Sequence, residues 1–276
     1  MDGRPPAVDM AQGTHGMTLT WDYGWRLFAT ALCFTAFGLG GLLLTVAVFP
    51  ALLLFRKADR VRHARRLIQR VFAGFLRLAE TLGVMRLHVS GAHRLRDCGG
   101  ALVLANHPTL IDVVVLLSLM PTAGCVVKRA LWKNPVLGAA VRAAGYISNS
   151  EPETLVGDCT RALAEGRPLI IFPEGTRSQP GQPLRFLRGA SYIAIASGAP
   201  VVPVLIDCRP STLTKQDKWY RIPPRRFDLR VEVLEPLARW HADAGDAPSA
   251  LAARHLTQSL ETHFTREIQR HEFTEA

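Results

Sequence analysis

Residues 27–55 contain no charged side chain, although 20 % of the whole chain is charged. About 20 apolar residues are enough to cross the hydrocarbon core of a bilayer, so this stretch predicts a membrane anchor. It is longer than the apolar region of a cleavable signal, and the only Lys or Arg residues before it are Arg4 and Arg26, so we expect an uncleaved anchor. Two alternatives stay open: a buried core helix, and a helix that enters the membrane without crossing it because Pro50 breaks it near its end.

The next segment, residues 61–82, has apolar residues at helical spacing and arginines on the opposite face. Its apolar face comprises Val61, Ala64, Ile68, Val71, Phe72, Phe75, Leu76, Ala79 and Leu82. Its basic face comprises Arg62, Arg65, Arg66, Arg70 and Arg77. Such a helix either lies in the lipid interface, where its cations meet anionic headgroups, or packs on the domain with a solvated basic face.

The distribution of charge indicates orientation and partners. Basic residues are dense at 56–66 and sparse before residue 27, so the positive-inside rule places the C-terminal part on the cytoplasmic side of the inner, cytoplasmic membrane. The net charge of +10 suits an anionic membrane surface or an acidic carrier protein. Five cysteines without a Cys-x-x-Cys pair argue against a disulfide framework or a zinc site and agree with a reducing compartment.

Beyond residue 83, short apolar strands alternate with helical segments, which predicts an α/β fold with a mainly parallel sheet flanked by helices. We expect strands at residues 86–90, 101–105, 124–128, 146–148, 168–172, 201–206 and 227–234. We expect helices at residues 111–119, 139–144, 153–165, 191–197 and 247–269, the last capped by Asp246 or Ser249. Pro203 favours an edge position or a bulge for its strand.

The predicted elements divide the chain into four parts. An N-terminal tail (1–26) is followed by the membrane anchor and the amphipathic basic helix (27–83), which together form a two-helix membrane-associating motif. The α/β domain (84–240) follows, and a C-terminal helix (241–276) is expected to pack on it.

Two polar motifs follow two of the predicted strands. The first, residues 106–112, reads NHPTLID and follows the apolar run 101–105; the second, residues 172–178, reads FPEGTRS and ends the run 168–172. Ligands of open parallel sheets bind at the carboxyl ends of the strands. We therefore expect both motifs to converge on one site that combines a histidine, two carboxylates and an arginine.

The first motif has the parts of an acid/base dyad. Pro108 suits the first position of a helix, so we expect His107 at the cap, from which it can fold back to Asp112. The carboxylate would fix the imidazole tautomer and stabilise the charged imidazole. Because the chain has no Gly-x-Ser-x-Gly elbow, such a dyad most simply activates a hydroxyl that belongs to the substrate.

The second motif predicts an anion site. Pro173 and Gly175 favour a turn that brings the backbone close to a ligand, and Arg177 offers a planar fork that suits phosphate or carboxylate. The alternative is a surface turn in which Glu174 and Arg177 form a solvated ion pair.

These two motifs resemble the first and third conserved blocks of the glycerolipid acyltransferase family, of the lysophosphatidate or PlsC-like type. The resemblance extends from about residue 102 to residue 206. It includes the basic segment 128–138, the element FLRG at 186–189, and residues 201–204, which are similar to the fourth block. The apolar stretch and the amphipathic helix resemble the two-helix membrane motif of the family, which favours a helix that does not cross.

The resemblance implies transfer of a fatty acyl group from an acyl thioester to the hydroxyl of a lysolipid-like acceptor such as lysophosphatidate. The donor would be acyl-CoA or acyl carrier protein, with no metal, no bound cofactor and no nucleic acid involved. His107 would be the general base and Asp112 would orient it. Substrate contacts would come from Asn106, Phe172, Pro173, Glu174, Gly175, Thr176, Arg177, Lys128 and Arg188.

One stretch departs from the family pattern. The second block usually ends with an arginine that contacts the acceptor phosphate, whereas residues 145–151 read GYISNSE and contain none. Either another cation replaces it, or the acceptor carries a different head, such as that of an amino-acid lipid or another hydroxylated acyl chain. The candidate cations are Arg177, Arg185, Arg188, Lys128 and Arg129.

Two other function classes stay open. The altered block is also compatible with a membrane-anchored lipid-binding protein that has no catalytic turnover. A hydrolase in which His107, Asp112 and Glu174 surround a metal is a third reading.

Overall fold

The structure is a computed structural model that describes residues 21–52, 54–96, 98–134, 137–149, 151–237 and 249–273. Most of the predicted N-terminal tail, the candidate cap Asp246 and the start of the predicted C-terminal segment lie outside the described residues. Within these ranges the chain forms one seven-stranded sheet with helices on both faces, which confirms the predicted α/β fold.

The bounds of the elements agree with the predicted ones to within a few residues. The strands are β1 (Met85–Ser90), β2 (Leu102–Ala105), β3 (Gly124–Val127), β4 (Ile147–Ser148), β5 (Leu169–Ile171), β6 (Val201–Arg209) and β7 (Phe227–Val233). The helices are α1 (Trp21–Leu43), α2 (Phe49–Leu52), α3 (Lys57–Thr81), α4 (His93–Arg96), α5 (Asp112–Leu119), α6 (Arg129–Trp132), α7 (Gly138–Ala143), α8 (Pro152–Ala164), α9 (Gly189–Ser197) and α10 (Ala250–Phe273).

The sheet is mainly parallel, as predicted. Its strand order is β1-β7-β6-β2-β5-β3-β4, and β6 with β7 is the antiparallel pair among the described strands. Val103 of β2 lies in the core formed with α3, α5 and α7, whereas Leu102 and Leu104 lie in the core formed with α8, α9 and α10. Strand β2 is therefore buried on both faces, which explains why it reads as a continuous apolar run.

The central position of β2 also brings the two polar motifs together. It pairs in parallel with β5, with Leu104 opposite Ile171. The carboxyl ends of both strands therefore lie side by side at one edge of the sheet, and the chain leaves each strand directly into one motif.

Pro203 lies in the interior of the sheet, so the prediction of an edge strand or a bulge is wrong. Strand β6 sits between β2 and β7, and Pro203 is in register with Leu104. The Pro203 carbonyl accepts a hydrogen bond from the N–H of Leu234 at 3.0 Å. The N–H that proline lacks would point to Leu234, which lies just beyond the end of β7. The sheet therefore loses only one hydrogen bond, at the end of the β6–β7 pairing.

The predicted anchor is one long helix, Trp21–Leu52, composed of α1, a π-helical turn (Leu44–Val48) and α2. Its described part includes Trp21–Arg26, which the prediction assigned to the tail, and Pro50 does not break it. In the π-helical turn the N–H of Phe49 bonds the carbonyl of Leu44, five residues back. We attribute this local widening to the ring of Pro50, which has no N–H to donate and crowds the preceding turn of a regular helix.

Helix α3 packs its apolar face on the domain and exposes most of its basic face. Its buried apolar residues are Ala64, Ile68, Leu76 and Ala79, in the core shared with α5, α7 and β1. Its exposed arginines are Arg62, Arg66, Arg70 and Arg77. Of the two alternatives, the structure shows packing on the domain. Arg65, predicted on the basic face, is buried instead.

Helix α10 packs on α9 and β6. The Ser249 hydroxyl accepts a hydrogen bond from the N–H of Ala252 at 3.0 Å, which confirms Ser249 as a cap. Phe264 is fully buried and meets Phe186 edge to face at 5.2 Å between ring centroids. This helix thus closes the face of the sheet covered by α8 and α9.

The Phe264→Ala substitution should therefore weaken the fold strongly. Removal of a buried phenylalanine side chain leaves a cavity and is expected to lower the free energy of unfolding by about 3–5 kcal/mol. Urea unfolding of the detergent-solubilised protein, followed by circular dichroism, measures the change. Leu251→Ala on the same helix is the control, because Leu251 is 61 % exposed. Equal losses in the two variants would contradict the packing of α10.

Candidate active site

The turn between β2 and α5 holds His107 and Asp112. Helix α5 begins at Asp112, so the prediction that Pro108 is its first residue and His107 its cap is wrong. The N–H of Thr109 donates to Oδ2 of Asp112 at 2.8 Å, and the Thr109 hydroxyl donates to Oδ1. These bonds shape residues 108–111 into a turn that ends on the carboxylate, which delays the start of the helix.

His107 folds back over this turn to meet Asp112, as predicted. Its Nδ1 lies 2.8 Å from Oδ2 of Asp112. A carboxylate can only accept hydrogen bonds, so we assign the proton to Nδ1, which leaves Nε2 as the basic nitrogen. The Asp112 side chain is fully buried, whereas the His107 side chain is 19 % exposed. The imidazole is therefore the part of the pair that a substrate can reach.

Burial raises the pKa of the Asp112 carboxyl, and the hydrogen bonds from His107 and Thr109 oppose part of this rise. The carboxylate thus depends on its three donors to stay charged in a site without solvent. A charged partner at Nδ1 in turn stabilises a protonated imidazole during a reaction.

Glu174 of the second motif holds the backbone of His107. Its Oε1 accepts hydrogen bonds from the N–H of His107 at 2.9 Å and from the Ser178 hydroxyl at 2.8 Å. The N–H of Ser178 donates to the carbonyl of His107 at 2.7 Å. Both backbone polar groups of His107 are therefore bound by the second motif. This contact is not the solvated ion pair with Arg177 that the sequence left open.

Burial also raises the pKa of the Glu174 carboxyl, against the effect of its bonds to Ser178 and His107. The described residues contain no group of three or more His, Cys, Asp or Glu side chains that could hold a metal ion. The Glu174 carboxylate bonds the backbone N–H of His107. It does not share a metal position with Asp112. The geometry therefore gives no support to the metal-hydrolase reading.

The rest of the second motif forms the floor beneath the imidazole. The Phe172 ring stacks on His107 with 4.2 Å between centroids, and the carbonyl of Pro173 accepts the N–H of Leu187 at 2.8 Å. Gly175 has a φ of +65°, and a Cβ there would lie 2.6 Å from the Leu187 side chain. The positive φ therefore favours glycine at this turn.

Arg177 is half-buried, and its Nη1 donates to the carbonyls of Leu213 and Thr214 at 2.9 and 2.8 Å. One nitrogen of the guanidinium that was predicted to bind an anion is thus bonded to the loop between β6 and β7. Thr176, beside it, is also half-buried.

Asn106 acts as part of the sheet, in contrast to the substrate contact predicted for it. It is buried, its Nδ2 donates to the carbonyl of Ile206 at 2.8 Å, and its Oδ1 accepts the N–H of Ile206 at 2.7 Å. The side chain therefore extends the pairing of β2 with β6 by one residue, immediately before His107.

Two predicted cations lie on the rim of this region. Lys128 is exposed and follows β3, the neighbour of β5, so it stands at the same edge of the sheet as the second motif. Arg188 is exposed at the start of α9 and follows Leu187, whose N–H bonds the second motif. Both positions are compatible with a charged group of a bound ligand.

An arginine does reach the Gly145 turn, but from another part of the chain. Arg65 of α3 donates to the carbonyls of Ala144 and Thr122 at 2.8 Å and lies 3.4 Å from that of Gly145. Burial lowers its pKa. Because the guanidinium is buried and bonded to these carbonyls, it ties α3 to the loops that precede β3 and β4 and is not placed to contact a lipid headgroup.

Sequence reasoning missed Thr109, Ser178 and Leu213. Thr109 stands three residues before Asp112 and an apolar run, the spacing of a capping box, and this signal could have identified it. Ser178 belongs to the second motif, but its bond to the Glu174 carboxylate depends on the folded turn. No sequence signal joins Leu213 to the site, because its backbone carbonyl makes the contacts.

The chain is similar to known acyltransferases. A protein-family model described as Acyltransferase matches residues 86–207. Mouse 1-acyl-sn-glycerol-3-phosphate acyltransferase alpha is 28 % identical over 188 residues, 64 % of each protein. The human alpha protein is 32 % identical over 197 residues, 67 % of this chain and 65 % of that protein. The chain thus spans just under two thirds of the length of these two relatives.

A solved structure is also similar. The crystal structure of the 1-acyl-sn-glycerophosphate (LPA) acyltransferase PlsC from Thermotoga maritima matches with a TM-score of 0.61 and 20 % identity. The match covers 89 % of this chain and 96 % of that one. At this identity the comparison shows a shared fold.

Because the pKa of Asp112 is raised, the free energy of unfolding is predicted to depend on pH. The folded protein binds this proton more tightly than the unfolded chain does, so the free energy of unfolding should fall as the pH rises above about 4, the unfolded-state pKa of aspartate. Asp112→Asn should lose this dependence, so its stability relative to the wild type should increase as the pH rises above about 4.

Urea unfolding of both proteins across this pH range measures the difference. Asp158→Asn, at an exposed position on α8, controls for the removal of a carboxylate in general. Curves for the wild type and Asp112→Asn that run parallel with pH would contradict the prediction.

Proposed function

Because the chain belongs to the PlsC-like glycerolipid acyltransferase family, we propose that it transfers a fatty acyl group from an acyl thioester to the hydroxyl of a lysolipid. The observation that carries this proposal is the bond between Nδ1 of His107 and Asp112, which leaves Nε2 as the basic nitrogen of a partly exposed imidazole. A dyad of this kind fits a substrate that brings its own hydroxyl.

In the proposed reaction, Nε2 of His107 removes the proton of the acceptor hydroxyl as the oxygen attacks the thioester carbonyl. The new C–O bond forms, the C–S bond breaks, and the leaving thiolate takes the proton from the imidazolium. Asp112 stabilises the imidazolium and holds the ring in place. No redox change occurs and no cofactor is needed, since the electrophile is already activated as a thioester.

The donor in this proposal is acyl-CoA or an acylated carrier protein. Phe172 stacks on the imidazole, Leu110 is an exposed residue of the first motif, and Leu187 is an exposed residue whose N–H bonds the second motif. We place acyl chains against these side chains. Pro173, Gly175 and Thr176 belong to the same turn and would contact the substrate through their backbone.

The acceptor in this proposal is a lysolipid with an anionic head, such as lysophosphatidate. Lys128 and Arg188 are the exposed cations that we assign to the head, with Arg177 behind them. Two rim cations would replace the arginine that residues 145–151 lack.

We further propose that α1 lies in one leaflet and does not cross the bilayer. Its buried residues include Arg26, Ala29, Thr30 and Cys33, and Phe37 contacts Phe72 and Phe75 of α3. Its exposed apolar residues are Trp21, Trp25, Phe28, Leu32, Leu39, Leu42 and Leu43. A helix that packs along the arginine-rich α3 cannot be surrounded by hydrocarbon over its length.

The location that we propose is the cytoplasmic face of the inner membrane. Its support is the dense basic run at residues 56–66 together with five buried cysteines that are free thiols. An anionic leaflet would meet the exposed arginines of α3.

His107→Ala should abolish acyl transfer and leave the fold intact. Loss of a general base costs about 100-fold or more in rate. The measurement is acceptor-dependent release of free thiol, with the acylated product identified by mass spectrometry. His88→Ala is the matched control, because His88 is an exposed histidine on β1.

Undiminished transfer by His107→Ala would overturn the assigned mechanism. A wild-type protein that binds lysolipid but releases no thiol from either donor would instead support the lipid-binding reading.

A further inference from the structure

The loop between β6 and β7, residues 210–226, has a composition typical of a membrane interface. It carries Lys215, Lys218, Arg221, Arg225 and Arg226 against one carboxylate, that of Asp217. In its middle, Trp219 and Tyr220 stand side by side and are 47 and 44 % exposed. Tryptophan and tyrosine collect at the headgroup level of membranes, and surface cations bind anionic lipids.

One end of this loop is bonded to the turn that carries His107. The Leu213 carbonyl accepts hydrogen bonds from the N–H of Leu110 at 3.0 Å and from Nη1 of Arg177 at 2.9 Å. Leu213 has a φ of 54°, in the left-handed region that a leucine rarely adopts. The two bonds stabilise this conformation, so the loop is fixed to both polar motifs at one carbonyl.

The other end of the loop is bonded to α1. Arg26 is buried and donates from Nη1 to the carbonyl of Pro223 at 2.8 Å and from Nη2 to that of Pro224 at 2.6 Å. The Phe34 ring lies 5.9 Å from the Trp219 ring. The exposed aromatic pair is therefore continuous with the apolar surface of α1.

We infer that residues 210–226 form a second membrane contact, in which Trp219 and Tyr220 insert at the headgroup level of an anionic bilayer while the neighbouring cations bind lipid phosphates. The aromatic and basic composition, together with the continuity with α1, selects a lipid surface as the partner. Because the same loop holds Leu110 and Arg177, this contact sets the position of the two motifs relative to the bilayer. The inference rests on the proposed membrane location of α1.

The direct test is the depth of residue 220 in a bilayer. The full chain carrying Tyr220→Cys, labelled with an environment-sensitive fluorophore, is reconstituted in phosphatidylcholine vesicles with and without phosphatidylglycerol. Labelling is selective because the five native cysteines are buried. Leu251→Cys, at an exposed position on α10, is the matched control.

We expect lipids with a nitroxide on the headgroup to quench the label at position 220, more strongly with phosphatidylglycerol present, and to leave the label at position 251 bright. Equal quenching at the two positions would overturn the inference. It would also be overturned if an acidic carrier protein changed the fluorescence of the label at position 220 and the vesicles did not.

A kinetic test separates this contact from the proposed reaction. The double variant Trp219→Ser and Tyr220→Ser should raise the KM for lysolipid presented in vesicles by about tenfold and leave turnover in detergent micelles unchanged. An unchanged KM in vesicles contradicts the membrane contact. If the wild type has no activity in micelles, the proposed reaction fails, whereas the quenching result still decides the inference.

Discussion

The hydrogen bonds between Glu174 and the backbone of His107 hold the site together. Parallel pairing of β2 and β5 brings the two motifs to one edge of the sheet, but pairing alone does not fix a side chain that lies beyond the strand. The Glu174 carboxylate and the N–H of Ser178 bind the two backbone polar groups of His107. The imidazole can then meet Asp112 without a regular helix beneath it, and Phe172 stacks against its ring.

The part of the protein that we propose to face the membrane comprises α1, α3 and the loop at residues 210–226. Arg65 fixes helix α3 to the loops that precede β3 and β4, and α1 packs on α3 with its apolar side outward. The loop at residues 210–226 links α1 to the motifs through Arg26 at one end and the Leu213 carbonyl at the other. In this arrangement an acyl donor and a lysolipid would both reach His107 from the lipid side, which agrees with the exposed Leu110 and Leu187.

The sequence was sufficient for features that depend on pattern, and insufficient for those that depend on tertiary contacts. Buried parallel strands are apolar runs, so the strand before each motif and the closeness of His107 to Asp112 could be predicted. The role of Glu174 could not, because its partner is a backbone N–H that no sequence pattern records. Arg65 belongs to a basic face by periodicity, yet the free carbonyls of the Gly145 turn bind it. Pro203 is tolerated in the sheet interior because β7 ends beside it.

The kcat values of two substitutions test most directly whether Glu174 positions His107. Glutamine keeps a carbonyl oxygen for the N–H of His107, so Glu174→Gln should stay within about tenfold of the wild type. Glu174→Ala removes the acceptor and should lose about 100-fold in kcat with little change in KM, because the base is displaced while substrate contacts remain. Full activity of Glu174→Ala, or a raised KM for lysolipid at unchanged kcat in both variants, would contradict this account.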